Sequence, residues 1–169
     1  RPLVNLYALR ILVKLGGHRH VLDGQRVSDP DVFDALGIRL PSPELPYRPD
    51  LLLVRLRRRL LDLDHRVPTG PADAILTRNL RWLAETLALT PVEADIIQFL
   101  AIVHHAPLVR SLLEKFTSLR THEAHLVLAT ALGHSLEAIS QSLSHPSKLG
   151  MSGLVWSNLS HQWGVPQKL

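Results

Sequence analysis

With 169 residues, the chain has the length of one large domain or two small ones, enough to bury a core without covalent staples. Hydrophobic residues at 46% and charged residues at 20% argue against a disordered chain, and the absence of cysteine excludes disulfides, thiolate metal centres and a cysteine nucleophile. A reducing compartment, the cytoplasm, is therefore the expected setting, and the excess of 19 Lys and Arg over 15 Asp and Glu is too small to imply nucleic acid by itself.

The chain starts at Arg1 and not at Met, which fits an excised piece of a longer protein. Its opening stretch RPLVNLYALRILVKLGG has the basic and apolar parts of a signal peptide, but Asn5, Arg10 and Lys14 interrupt the apolar part. The density of apolar residues from Leu3 to Leu15 predicts a buried helix, ended by Gly16 and Gly17. Asp29 before Pro30 predicts a short helix to Leu36, with the Asp29 side chain as cap and Gly37 as stop. Four prolines between Leu40 and Pro49 predict an extended strap.

Asp50 is the expected cap of the next helix, where Leu52, Leu56, Leu60 and Leu63 recur at helical spacing and the arginines fall largely elsewhere. A break at 67–71, VPTGP, gives the expected division into a helical N-terminal segment with its Pro-rich strap, 1–70, and a second helical domain, 71–169. The second part opens with an amphipathic helix over 72–89. Thr90, Pro91 and Glu93 make a capping box with proline at the first helical position, opening a helix to about His105. Pro107 restarts the chain as a short helix to about Phe116. Thr121 is the expected cap of a helix to Leu132 and Ser135 of another to Leu143, with Gly133 between them, a helix-turn-helix pattern. The following KLGMSGLVWSNLS predicts a strand or small hairpin, so that 90–160 would form a winged-helix-like unit in a mainly α, multi-helix fold. The apolar run Ile96 to Leu108 contains Gln98, His104, His105 and Pro107, too short and too polar to span a bilayer, so no membrane partner is expected.

No complete catalytic motif is present. The Gly-rich phosphate loops GxxxxGK[ST] and GxGxxG are missing, and so is the GxSxG elbow that holds a nucleophilic serine. Asp62 and Asp64, two apart on a helix, point to different sides and make a poor acid and base pair. His122, Glu123 and His125 read HEAH, whereas two imidazoles reach one zinc from a helix most readily at a spacing of four; helix-surface histidines are the favoured reading over a metal enzyme. The same holds for His18 and His20 in a turn, and His104 and His105 suit the negative end of their helix. The ten histidines together add positive charge at acidic pH, but scattered surface histidines are favoured over a pH sensor. No catalytic residue, cofactor or metal is assigned.

Arg55, Arg57, Arg58 and Arg59 form the one dense basic cluster, suited to phosphates or to an acidic partner, with Asp62 and Asp64 offsetting part of it. The second helix of the helix-turn-helix, from Ser135 to Lys148, offers Gln141, Ser142, Ser144 and His145, but carries Glu137 and no Arg or Lys before Lys148. It is electrostatically poor for a DNA groove and better suited to protein contact.

The stretches NLRWLAETLALTPVEADIIQFLAIVHHAPLVRSLLEKF and LVLATALGHSLEAISQSLSHPSKLGMSGLVW, spanning Asn79 to Trp156, resemble a region that precedes the ATPase core in certain bacterial AAA+ proteins. The shared features are a leucine-rich helix, a Leu-Thr-Pro-x-Glu cap, an apolar helix and a helix-turn-helix ending in Ser-Gly-Leu-Val. The resemblance implies a non-catalytic amino-terminal domain that recognises a protein client or adaptor and is attached to a homo-hexameric motor, where ATP binds. None of the family's nucleotide-binding or arginine-finger residues has a counterpart here. The alternative is a winged-helix nucleic-acid-binding domain, with Arg55, Arg57, Arg58 and Arg59 on phosphates and Ser135, Gln141 and Lys148 at the groove.

Overall fold

The computed structural model of the chain describes residues 2–23, 26–40, 48–65, 74–116, 121–158 and 162–164. Among them the architecture is mainly helical, as expected. In chain order come α1 (Pro2–Lys14), a 3-10 turn at Gly17–Arg19, a short antiparallel pair β1 (Leu22–Asp23) and β2 (Arg26–Val27), α2 (Pro30–Ala35) and α3 (Pro49–Asp64). There follow α4 (Ala74–Thr86), α5 (Pro91–His105), α6 (Pro107–Glu114), α7 (Thr121–Leu132), α8 (Leu136–Ser142), α9 (Lys148–Ser152) and the antiparallel pair β3 (Trp156–Asn158) and β4 (Gln162–Gly164).

The core is built around α1. Leu6, Tyr7, Ala8, Leu9, Ile11 and Leu12 are all buried, so the helix is covered on more than one face, as a helix apolar nearly all round must be. It packs on α3, α6 and α7, meeting Leu52, Leu56 and Leu60 of α3 in one hydrophobic cluster with Ile96, Phe99, Leu112, Leu128 and Ile139. The Tyr7 and Phe99 rings meet edge to face at 5.1 Å, joining α1 to α5. Burial of each such large side chain stabilises the fold by about 1.5–3 kcal/mol relative to exposure. Side chains from both sides of the expected division at 70/71 thus enter one cluster, while the break itself, at 67–71, lies outside the described residues, as does most of the Pro-rich strap.

Several local expectations are corrected. Asp29 precedes α2, but its side chain makes no capping bond. Asp50 does not cap α3: the cap residue is Arg48, and Asp50 sits in the first turn with its carboxylate 2.7 Å from the Arg48 guanidinium. The cause is Pro49. A residue before proline is held extended, as Arg48 is at φ −89° and ψ 116°, and proline itself takes the first helical position. The expected strand at KLGMSGLVWSNLS begins instead as α9, because Ser147 caps it by accepting the Gly150 amide at 2.9 Å; strand pairing starts only at Trp156. Gly150 is there for closeness: a Cβ would stand 2.3 Å from the Ser144 carbonyl oxygen.

Candidate functional site

The expected contact residues fall into two groups with different fates. On α3, Leu52, Leu56 and Leu60 turn inward, so Arg57 and Arg58 on the remaining faces are exposed. Arg55, also exposed, donates to the Arg39 carbonyl at 3.3 Å. Arg59 is half-buried; its guanidinium lies beside Gly37, and its Nε is buried with no hydrogen-bond partner among the described residues. Between these arginines Leu51, Val54 and Leu61 stand in solvent.

The second group, near α8 and α9, is committed to local structure. Ser135 caps α8 by accepting the Ala138 amide at 3.1 Å, Gln141 donates to Glu137 at 3.2 Å, and the Lys148 ammonium donates to the Ala88 carbonyl that follows α4. Helix α8 packs on α5, α7 and α9, whereas α3 packs on α1 and the 3-10 turn. The structure therefore gives the α3 arginines and the α8–α9 residues separate settings.

The histidines are likewise placed by the fold. His18 is buried with Nδ1 3.0 Å from the Leu12 carbonyl oxygen, and His20 meets the Phe116 ring edge on. His104 and His105 stack against each other in a T at the end of α5, where the Arg110 side chain donates to the His104 carbonyl. His125 joins α7 to α8 through Ser140, at 3.0 Å, and burial together with the nearby His122 charge lowers its pKa from the ordinary imidazole value. His134 pairs with Asp95 of α5 at 2.8 Å. Among the described residues, no group of three or more His, Cys, Asp or Glu is arranged to hold a metal ion.

Two polar residues, Arg10 and Glu93, make ties between helices that sequence reasoning missed. Arg10 projects from the apolar helix α1, donating from Nη1 to the Ala131 carbonyl at 2.9 Å and from Nη2 to Asp64 at 3.0 Å, so one guanidinium joins α1, α3 and α7. Its signal was present: a charge inside an otherwise buried helix needs partners. Glu93 is 2% exposed and completes the expected capping box with Thr90, but its second oxygen also accepts the Leu149 amide at 2.9 Å. Burial works to raise this carboxyl. The Leu149 and Thr90 amides, the Thr90 hydroxyl and the Lys148 charge outweigh it and hold the pKa below the ordinary glutamate range. An open groove of about 370 Å³ runs past Lys14, Leu126, Thr130, His134 and Leu136 at the α7–α8 turn.

Large apolar side chains also stand exposed on α4, at Ile75 and Trp82, a helix with no fully buried residue among those described. No single described helix is long and apolar enough to cross a membrane. Comparison with known proteins gives no match among family models, curated proteins or solved structures.

Proposed function

We propose that the chain is a protein-docking module: a helical domain that presents the outer faces of α3 and α4 to a client or adaptor. In the setting implied by its resemblance to the region before the core of bacterial AAA+ proteins, it hands that partner to an attached hexameric motor. One observation carries the reading. Leu51, Val54 and Leu61 on α3 and Ile75 and Trp82 on α4 are large, apolar and exposed, and these two helices carry all such side chains among the described residues except Leu126 on α7 and Met151 on α9, which stand singly. Five groups with chemical capacity, Glu93, Arg10, His18, His125 and His134, are bonded between elements of the fold. The α8 face offers a nucleic-acid groove little, since Gln141 and Lys148 are bonded within the protein.

The test is site-directed photo-crosslinking in the full protein in its own cell, with the reactive residue at Leu61, at Trp82 and, as a control on an exposed polar face, at Glu137. A discrete partner band from position 61 or 82 and none from 137 is expected. Absence of bands at both 61 and 82 would sink the docking reading.

A further inference from the structure

Helix α3 is apolar on two opposite sides. Leu52, Leu56 and Leu60 face α1 and are 5% exposed or less. On the far side Leu51, Val54, Arg58, Leu61 and His65 follow one another at intervals of three, four, three and four residues, and every one of them is exposed. That is the spacing of a coiled-coil seam, in which a and d positions of one helix fit between those of another. Val54 at 60% and Leu61 at 58% exposure flank a cationic centre at Arg58. The seam is bordered by Arg55 and Asp62 on one side and by Arg57 on the other. Of the remaining carboxylates on α3, Asp50 is held by Arg48 and Asp64 by Arg10. With Asp62 counted against Arg55 and Arg57 the border keeps a positive excess, and among the described residues none forms an ion pair with Arg55, Arg57 or Arg58.

Resting on the docking reading above, we infer that this outer seam of α3 binds one acidic amphipathic helix of a partner protein. The partner helix packs apolar residues between Leu51, Val54 and Leu61, sets a carboxylate against Arg58, and lines its edges with Glu or Asp opposite Arg55 and Arg57. A buried or half-buried cation at one a or d position fixes register at a cost in stability, so Arg58 selects a partner with an acid at the facing position.

Other occupants fit less well. A second copy, paired in register or about a two-fold axis through the middle of the seam, would set Arg58 against Arg58 and gather the flanking arginines, so like charges oppose it. The residues of the chain outside those described contain only Glu44 and Asp73 as acidic side chains, one in 41–47 and one in 66–73, too few to meet Arg55, Arg57 and Arg58. An anionic membrane calls for a broad apolar face, whereas this seam is a single residue wide and edged by charge.

The test is fluorescence anisotropy of a labelled synthetic helix against the intact chain. The probe has three heptads with Leu at a and d, Glu at e and g, and one Glu at the position that faces Arg58; its twin carries Lys in place of every Glu. Two double variants are compared, Arg57→Glu with Arg58→Glu and Val54→Asp with Leu61→Asp, each checked by circular dichroism; all their positions are exposed, so the fold is expected to persist. The acidic probe is expected to bind the parent chain, with affinity falling about tenfold or more in each variant and again as salt rises from about 50 to 300 mM. The Lys twin is expected to bind the charge-reversed variant better than the parent, an exchange that loss of folding cannot produce.

No binding of the acidic probe, binding indifferent to charge reversal, or binding by anionic vesicles that depends on the same residues in place of the probe would each overturn the inference. The two readings fail separately. Crosslinks from Trp82 together with a silent acidic probe leave docking standing and remove the acidic helix, while absent crosslinks at both 61 and 82 remove both.

Discussion

Arg10 shows what a single charge inside a core helix does. Its two bonds reach Asp64, 54 residues away, and Ala131, 121 residues away, while its Nε is buried with no hydrogen-bond partner among the described residues. Removing the side chain leaves the Ala131 carbonyl short of a donor, so Arg10→Met is expected to cost about 2 kcal/mol, or about 4–8 °C in Tm for a chain of this size, read by thermal denaturation. Arg10→Lys recovers only part of it, because an ammonium lacks the planar fork that serves both acceptors. Glu93 is tested by pH. Its folded pKa lies below the unfolded one, so the stability due to its ionisation is complete above the ordinary glutamate value and is lost as pH falls through the depressed folded value. Urea midpoints measured from pH 7 downwards should show this acid loss in the parent chain. Glu93→Gln should lack that part of the slope and be less stable at pH 7 by about 1–2 kcal/mol. His125 acts in a higher window: burial and His122 hold its folded pKa below 6.5, so stability is lost as pH falls below 6.5 towards that value, and His125→Asn should flatten this part of the curve alone. Half of Glu93's role was legible in sequence, because Thr90, Pro91 and Glu93 bond within one turn. The other half, the Leu149 amide, was not, since nothing in local spacing marks a partner 56 residues on.

At the scale of elements, helices with a proline, cap or glycine signal at an end were readable, the short α2, α6 and α8 included, and α9 was not. The ends of α5, α6, α7 and α8 follow from Thr90, Pro107, Gly133 and Ser135, each acting on the backbone within a turn of itself. Helix α9 was misread as strand because five residues carry no periodicity, and its cap bond from Ser147 competes with the β-branched and glycine texture that follows. The start of α3 was misread because a proline at the first position outranks an aspartate one residue later. The α7–α8 turn offers a test that couples local conformation to packing. Gly133 has φ +82°, the His134 amide closes on the Ala129 carbonyl at 3.1 Å, and a Cβ at 133 would stand 3.1 Å from Nη1 of Arg10. Gly133→Ala should therefore cost about 1–2 kcal/mol from the left-handed backbone alone, with a further term from displacing the guanidinium. In an Arg10→Met background the second term is gone, so a double-mutant cycle by urea denaturation should give a coupling of about 0.5 kcal/mol or more. Simple additivity would show that the turn's strain and the Arg10 bridge are independent.

For the whole molecule, the pattern of apolar residues established a helical class but could not say which faces remain bare once the helices pack, because coverage is decided by neighbours distant in sequence. Helix α3 illustrates this: the unbroken stripe Leu52, Leu56, Leu60 was legible as the core side, whereas Leu51, Val54 and Leu61, interrupted by Arg58, are left bare because α1 covers only the first stripe. The same uncertainty separated the docking and nucleic-acid readings, and whole-molecule electrostatics now divides them by measurement. A net charge of +4 on 169 residues gives little long-range field, and α8 presents no arginine and a Gln141 amide already bonded to Glu137. Duplex binding through α3 would rest on Arg55, Arg57 and Arg58 against phosphates. Three such contacts give a slope of log affinity against log salt of about −2.7, at about −0.9 per phosphate, with no preference among sequences. Titration of a labelled duplex should accordingly show at most weak, sequence-indifferent binding at low salt that disappears by about 150 mM and is abolished by Arg57→Glu with Arg58→Glu. A slope several times steeper, or discrimination between duplexes that survives the double charge reversal, would require a second contact surface outside α3 and would turn the assignment from docking to nucleic-acid recognition.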